Sequence, residues 1–425
     1  MRFPKSPLFY GWYVLGSSFL ILFFVQGTRS VFGVLFKPII SELGWSRGAV
    51  SLATFVNMAV FALTLTLVGR FYDRFGARKV LFIATLFLAV GHLGIALVTR
   101  YWQFLILNGV VVAIGLGGAS VPLFGVLTVK WFYRHRGLAI SIALTGGCLG
   151  QYILVPVATY LVATLDWRWT FFIIGLSLLI VNLLIIYIVI KDDPSELGLT
   201  ALGAPALASP NNRLSPAPSD RESDRKSDLN IGGAMRTTPF WLFLAVMFIC
   251  GGGDYMVLLH LVPMVTDQGI PADTAASMLA WFGLLSLAGV LATGRAIDVI
   301  GNKIPMVLTF ILRSLLFFYI LKSQSVTAFY IFSLGFGFTM MVTAPITTTL
   351  MGRLYGLTHL GLISGVITTV HHLGGGLWAY LGGVIFDRCG DYRLVLGLYG
   401  GCCLVATVCA LLIRTRPISS QRVAG

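Results

Sequence analysis

One arginine lies inside a long apolar segment near the amino terminus. Arg29 is the single charged residue between positions 14 and 36, a stretch long enough to span a bilayer, which takes about 20 apolar residues. A charge at the bilayer centre costs about 2.5–3.5 kcal/mol on insertion scales, so it normally faces a partner or a watery cavity. Gln26, Ser30 and Gly33 share its helical face. Arg29 is therefore a candidate ligand for an anion in a transport pathway, although a structural ion pair or a snorkelling side chain would also explain it.

The composition indicates a membrane protein. Of 425 residues, 57% are hydrophobic and 11% are charged, and mean hydropathy is +0.88. Apolar runs of about 20 residues recur along the chain, which predicts an all-α membrane protein. The net charge of +14 comes from lysines and arginines in short loops, which is typical of membrane orientation rather than nucleic-acid binding. The six cysteines show no ligand spacing and no disulfide framework, so we interpret them as small core residues. No metal and no cofactor are expected, and the protein is not expected to be an enzyme.

The apolar runs predict twelve transmembrane helices. Their predicted ranges are 11–36, 49–69, 79–98, 102–129, 137–163, 168–190, 239–265, 273–297, 304–321, 325–350, 359–386 and 393–413. They form two six-helix bundles, at 1–190 and 237–425, joined by a cytoplasmic linker at 191–236 whose part 199–227 we expect to be a mobile tether. The distribution of lysine and arginine places both termini in the cytoplasm.

An internal repeat relates the two bundles. An offset of 225 residues carries the loop Gly69–Gly76 onto Gly294–Gly301. The same offset carries Arg29 onto Asp254, so the buried cation of predicted helix 1 corresponds to a buried anion in predicted helix 7. Transporters built from two repeats commonly bind their substrate near the midplane, between the repeats. The repeat therefore predicts, without proving it, that Arg29 and Asp254 face each other.

Several motifs resemble those of a known transporter family. The loop Gly69–Lys79 resembles the signature loop of the major facilitator superfamily, and four further stretches resemble bacterial monocarboxylate transporters and the related oxalate/formate antiporters. These are Phe9–Trp12, Arg29–Val34, Glu42–Arg47 and Lys191–Gly198. The resemblance implies two pseudo-symmetric six-helix bundles, proton-coupled or exchange transport of small organic anions, and a central cavity lined mainly by helices 1, 4, 7 and 10. It also places the protein in a bacterial cytoplasmic (inner) membrane.

The signature loop is expected to act as a conformational latch rather than as a substrate ligand. Asp73 is expected to join a cytoplasmic charge network with basic neighbours or a helix amino terminus. The predicted latch residues are Gly69, Asp73, Arg74, Gly76, Arg78 and, in the second copy of the loop, Asp298.

Asp254 and His260 are the candidates for proton coupling. A carboxylate inside a membrane helix can carry a proton, and an anion arriving at a neighbouring Arg29 would favour proton uptake. A permanent Arg29–Asp254 pair acting as a strut is the alternative. His260 lies about 120° further round the helix and relays protons or is a polar residue at the outer rim.

Four further residues complete the predicted substrate site. They are Gln26, Asn108, Tyr255 and Thr343, although threonines also bond to their own helix and aromatic residues pack in cores. Predicted helix 8 lacks the arginine that carriers of this kind often use for a substrate carboxylate. Arg313, in predicted helix 9, is expected to be buried against a neighbouring helix or to snorkel. His371 and His372 have no cysteine or carboxylate at ligand spacing, so zinc is not expected.

The sequence thus predicts a secondary transporter that moves a small monocarboxylate, such as lactate or pyruvate, with a proton by alternating access. Arg29 would hold the carboxylate, and a single chain is expected to suffice. Organic-anion exchange is the nearest alternative, and efflux of lipophilic compounds is a second. A transporter-like receptor and an intramembrane enzyme are disfavoured, because no large soluble domain and no nucleophile–base pair is found.

Overall fold

Eleven long helices account for most of the protein. The computed structural model describes residues 9–133, 136–203, 229–356 and 358–415. Within these residues, eleven helices are long and apolar enough to cross a membrane. We label them α1 (Gly11–Leu43), α2 (Arg47–Ile95), α3 (Tyr101–Trp131), α4 (Arg136–Thr164), α5 (Trp167–Ile188), α6 (Thr238–Thr266), α7 (Ala272–Ile300), α8 (Lys303–Lys322), α9 (Val326–Tyr355), α10 (Leu360–Cys389) and α11 (Arg393–Leu412).

The helix α2 contains two of the twelve predicted spans. Its 49 residues bend at Gly76, whose φ of 82° is not helical, a backbone region that is open to glycine and costly for other residues. The remaining predicted helices match α1 and α3–α11 to within a few residues at most ends. The exception is α1, which continues to Leu43 and stops at Gly44, where φ is 66°. The fold class predicted from the sequence, an all-α membrane protein, is therefore confirmed.

Helices α3 and α9 are interrupted at or next to residues of the predicted substrate site. In α3, a wider π-helical turn covers Leu107–Val112 and includes the predicted site residue Asn108. In α9, regular helix stops at Met340 and resumes at Thr343. Such departures from α-helical geometry expose backbone groups and often accompany functional positions.

The described ends of the predicted linker are folded. A 3₁₀ turn covers Pro194–Leu197, and a short helix covers Ile231–Met235. Leu202 forms two backbone hydrogen bonds with the end of α3, to the oxygen of Trp131 and from the nitrogen of Tyr133. The expectation of a mobile tether is therefore wrong for 199–203, and its residues 204–227 lie outside the described part.

Contacts divide the described residues into two compact units. Unit 1 contains those between Met1 and Pro205 and between Leu258 and Leu284, and unit 2 contains those between Ala206 and Val257 and between Leu285 and Gly425. The boundary therefore cuts α6 and α7 internally. The predicted division at 190 and 237 follows the sequence repeat instead, and it stays a prediction.

Glycines allow a close helix contact in each unit. In unit 1, a Cβ added to Gly146 or Gly150 of α4 would collide with backbone atoms of Phe19 or Phe23 in α1. In unit 2, a Cβ on Gly374 of α10 would collide with the backbone of Phe248 in α6. Small residues at such positions let the backbones of two membrane helices approach closely.

Candidate functional site

A buried ion pair is the central feature of unit 2. Asp254 of α6 is 3% exposed and Arg313 of α8 is fully buried, and their nearest side-chain atoms are 2.7 Å apart. A buried pair is tolerated only when hydrogen bonds satisfy both partners. The sequence suggested Arg29 as the cation beside Asp254, whereas within unit 2 the cation is Arg313. The prediction that Arg313 is buried against a neighbouring helix is correct, but it missed this partner.

Arg313 is held in place by backbone and side-chain oxygens. Its Nε donates to Thr339 Oγ1 and its Nη2 to the Thr339 carbonyl, each at 3.0 Å. Its Nη1 donates to the carbonyl of Cys250 at 3.3 Å, and the guanidinium lies 4.5 Å from the ring centroid of Phe336. These contacts fix the cation, so Asp254 is the partner that can change its protonation state without rearranging the helices.

A histidine and a thiol complete the surroundings of Asp254. His371 Nε2 of α10 lies 3.7 Å from Asp254 Oδ2, and the His371 side chain is 15% exposed. Cys250 Sγ lies 3.6 Å from the same oxygen and 3.3 Å from Thr343 Oγ1. The ring of Tyr255 packs near His371, with centroids 6.1 Å apart. His371 is therefore a partly exposed neighbour of the buried Asp254 carboxylate, although its Nδ1 atom is itself buried.

The same cluster corrects the argument used against zinc. Sequence spacing placed no cysteine or carboxylate near His371, yet the fold brings the potential ligand atoms of Cys250, Asp254 and His371 within 4.8 Å of one another. The guanidinium of Arg313 already supplies a positive charge against the Asp254 carboxylate. We therefore interpret this cluster as a proton and ion-pair site.

Arg29, in unit 1, contacts two uncharged side chains of α2. Its Nη2 lies 3.0 Å from the sulfur of Met58, and its guanidinium lies 4.8 Å from the ring centroid of Phe61. Arg29 is half-buried. A half-buried arginine within a membrane helix is a candidate ligand for an anion.

The other predicted substrate residues of unit 1 lie in the helix interfaces. Gln26, one turn from Arg29, accepts a hydrogen bond from Ser30 at its backbone oxygen, and its side chain packs on Gly147. Asn108 is 8% exposed, and its backbone oxygen accepts a 2.5 Å hydrogen bond from Asn57. This contact ties α2 to the π-helical turn of α3.

The two predicted proton-coupling residues have different surroundings. Asp254 lies in the cluster of unit 2, whereas His260 belongs to unit 1, is 2% exposed and packs edge-on against Phe36. The side chain of His260 is buried, and its role as a proton relay or as a polar residue at the outer rim stays a prediction. His371 is the histidine that lies within 4 Å of Asp254.

The signature loop is fixed by a carboxylate that the sequence analysis did not select. Asp192 Oδ1 accepts a 2.8 Å hydrogen bond from the backbone nitrogen of Arg78, and its carboxylate fills the space where a Cβ on Gly76 would lie. The Arg78 side chain reaches the carbonyl of Tyr187 at 2.6 Å. Two of the resembling motifs, Gly69–Lys79 and Lys191–Gly198, are thus one structural unit.

The remaining latch candidates are solvent-facing. Gly69, Asp73, Arg74 and Asp298 are all exposed, and the Arg74 guanidinium lies over the ring of Phe75, 5.2 Å from its centroid. A charge network formed by Asp73 stays a prediction. Its sequence signal, one acidic residue among basic ones, does not distinguish Asp73 from Asp192.

A second charge cluster lies where α1 and α2 meet the loop between α6 and α7. Arg47 donates to both oxygens of Asp267, at 2.6 and 2.9 Å, and Lys37 Nζ lies 2.8 Å from Oδ1. Burial alone would raise the pKa of Asp267, but the hydrogen bonds and charges of Arg47 and Lys37 outweigh it, so this pKa lies below the usual range for aspartate.

Comparisons with known proteins identify relatives along almost the whole chain. The family model of the Major Facilitator Superfamily matches residues 18–275 and 243–424. An uncharacterized MFS-type transporter, YcxA, of Bacillus subtilis (strain 168) is 23% identical over 91% of both chains. Monocarboxylate transporter 13 of Bos taurus is 22% identical over 90% of this chain and 84% of its own.

Solved structures share the fold. The crystal structure of a D-xylose-proton symporter superposes with a TM-score of 0.73, at 16% identity, over 95% of this chain and 97% of the other. A bacterial homologue of the human lysosomal transporter Spinster, in an inward-facing and occupied conformation, gives a TM-score of 0.72 at 16% identity, over 96% and 97% of the two chains.

Proposed function

The chain belongs to the Major Facilitator Superfamily of transporters, and we propose that it moves a small monocarboxylate together with a proton. The observation that carries this proposal is the buried Asp254 carboxylate, which lies 2.7 Å from a fixed cation, Arg313, and 3.7 Å from the partly exposed His371. The resemblance to monocarboxylate transporters supports the substrate class, since one such relative matches most of the chain.

Arg29 binds the substrate in this proposal. It is a half-buried cation within a membrane helix, and a guanidinium can form a charge-assisted hydrogen bond with a monoanion. A single such cation suits lactate or pyruvate better than a dianion such as oxalate. Gln26 follows on the same helical face.

Asp254 carries the proton, and His371 delivers it. In the unprotonated state the carboxylate neutralises Arg313, and on protonation the Arg313 charge is left uncompensated. An anion in the transport pathway then becomes more favourable, which is thermodynamic linkage between proton and substrate. One proton with one monoanion moves no net charge, so transport is expected to be electroneutral.

The first experiment measures radiolabelled lactate in proteoliposomes. An inward proton gradient should drive accumulation in the wild type, and a protonophore should abolish it. Asp254→Asn should lose gradient-driven accumulation and keep lactate counterflow, because a neutral side chain cannot release a proton. Glu42→Gln is the matched control, since this carboxylate bonds Trp167 and Arg168 at the end of α1. Accumulation by Asp254→Asn at wild-type levels would remove Asp254 from the proposal.

A second experiment tests Arg29. Losing a charged hydrogen bond to substrate costs about 2–5 kcal/mol, so Arg29→Ala should reduce both uptake and counterflow by more than about tenfold. Arg29→Lys keeps the charge and should retain part of the activity. Equal activity of Arg29→Ala and wild type in counterflow would contradict the assignment, provided both elute as monodisperse protein.

Exchange of organic anions is the second candidate, and the many bonds to Arg313 favour it. A cation held by Thr339 and Cys250 can keep Asp254 permanently ionised. In that case lactate counterflow would proceed in the wild type while a proton gradient alone drove no accumulation. The orientation proposed for either function has both termini in the cytoplasm of a bacterial cell, with the chain in the cytoplasmic membrane.

A further inference from the structure

An open cavity of about 790 Å³ lies in unit 1, at one end of the helices. Its walls come from the last turns of α1, α4 and α6 and the first turns of α7, and this end is predicted to face away from the cytoplasm. The volume falls in the range of small-molecule sites, about 300–1,000 Å³. The cavity is separate from Arg29 and from the cluster around Asp254, which do not line it.

The cavity is a wedge between α4 and α7. Deeper along these helices, Gln151 Nε2 donates to the carbonyl of Leu279 at 2.9 Å, and the rings of Tyr152 and Trp281 lie 5.5 Å apart. These contacts join α4 and α7 on the inner side of the cavity, about one turn beyond the lining residues Pro156 and Ala276. Nearer the helix ends, residues of both helices line the cavity. An elongated ligand could therefore enter from the helix ends and extend along these two helices.

The walls are mainly apolar, and one side adjoins a lipid-facing helix surface. Val34, Pro156, Val262, Ile270 and Ala276 are among the apolar lining residues. On α4, the side chains of Ile153, Val157 and Tyr160 lie on one face and are 45%, 46% and 68% exposed. In a membrane helix such an exposed apolar face contacts lipid, and a tyrosine near the helix end is typical of the membrane interface. Tyr160 also lines the cavity, so the opening is at the bilayer.

Lys37 supplies a positive charge to this cavity and can be released from its present partner. Its side chain is 36% exposed, and its ammonium contacts Asp267 and Thr266. Arg47 already donates to both oxygens of Asp267. An anion in the cavity can therefore bind Lys37 while Asp267 keeps its stronger, bidentate hydrogen bonds with Arg47.

We propose that this cavity binds a single-chain carboxylate amphiphile, a long-chain fatty acid, with its chain in the apolar wedge and its carboxylate on Lys37. Asp273 lines the same cavity but accepts a hydrogen bond from the backbone nitrogen of Thr274, at the amino terminus of α7. Its charge opposes the ligand, so its removal should strengthen binding. This site goes beyond the proposed lactate transport and does not depend on it.

The experiment measures tritiated palmitate binding to the purified full chain in phosphatidylcholine nanodiscs. The wild type should bind saturably, and octanoate should compete at least about tenfold more weakly than palmitate, since each buried methylene adds to affinity. Lys37→Met should weaken palmitate binding by at least fivefold, and Asp273→Asn should strengthen it. Hexadecanol, which lacks the charge, should compete equally in wild type and Lys37→Met.

Matched variants separate the site from general effects on the protein. Ala163→Trp fills the cavity from an exposed position and should abolish binding, whereas Ala292→Trp, also at an exposed alanine, should not. Lys322→Met, at the end of α8, is the control for charge. Absence of saturable binding, or wild-type affinity in both Lys37→Met and Ala163→Trp, would overturn the proposal. Displacement of palmitate by phosphatidylglycerol at equal potency would assign the cavity to bilayer lipid and reject the fatty acid. Because the assay involves no transport, its outcome is independent of lactate uptake.

Discussion

At the residue scale, Arg313 and Asp254 form the contact on which the proposed coupling depends. A membrane-buried charge is costly when its partner is removed, and breaking a buried pair by deleting one side costs about 3–5 kcal/mol. Replacing both charges removes the desolvation cost together with the attraction. The pair is thus expected to influence folding as well as transport.

Thermal unfolding followed by the loss of monodisperse protein tests this expectation. Arg313→Met should lower the midpoint strongly, because it leaves the Asp254 carboxylate buried without its cation. The double variant Arg313→Met/Asp254→Asn should be more stable than Arg313→Met alone. If the double variant instead loses as much stability as the two single variants lose together, the two residues are not coupled.

The sequence indicated Asp254 as a candidate for proton coupling, but it could not identify the cation beside it. The repeat relates positions within the chain and says nothing about which helix packs against α6. Arg313 contacts Asp254 across 59 positions of sequence, and His371 comes from a third helix. In the sequence, Arg313 and His371 stand out as polar residues within apolar segments. This signal could have suggested that they pair with Asp254. Only the packing of α6, α8 and α10 shows that they meet.

At the scale of elements, hydropathy predicted the helices well and missed what happens at their ends. The prediction ended α1 at residue 36, where the apolar run ends. The helix continues because Lys37 reaches Asp267, and because a proline inside a helix of this length is tolerated. Hydropathy also could not predict the bend at Gly76. There the carboxylate of Asp192 occupies the space that a Cβ would take.

The glycine contact between α4 and α1 gives a prediction at this scale. A side chain at Gly150 would collide with the backbone of Phe23, and packed backbones cannot shift without separating the helices. Gly150→Val should therefore reduce the yield of monodisperse protein and abolish uptake. Gly125→Val is the control, because no atom lies within 4 Å of the Cβ position there. Wild-type behaviour of Gly150→Val would show that α1 and α4 can separate at little cost.

At the scale of the whole molecule, stability should depend on pH through Asp267. The pKa of Asp267 is lower in the folded protein than in the unfolded chain, where it is about 3.9. Between these two values the unfolded state binds more protons, so stability rises with pH. The stabilisation is complete above about pH 4 and is lost as pH falls through the folded pKa.

Midpoints of thermal unfolding measured between pH 3 and 7 check this dependence. The difference between wild type and Asp267→Asn should be constant from about pH 5 to 7 and should shrink below about pH 4. Asp273→Asn is the control, since Asp273 is exposed and bonds only to its own helix start. An equal difference at pH 3 and pH 7 would mean that Asp267 is not held as an ion pair.

The seating of Asp192 against Gly76 limits how this chain can be recombined with its relatives. A hybrid protein whose crossover falls after α5, at residue 190, would join the bent loop of one parent to the carboxylate-bearing segment of another. The hydrogen bond to Arg78 and the contact at Gly76 would then have to form between segments from two different parents. A crossover beyond residue 203 keeps both parts from one parent, so it is the better place to exchange halves between transporters of this kind.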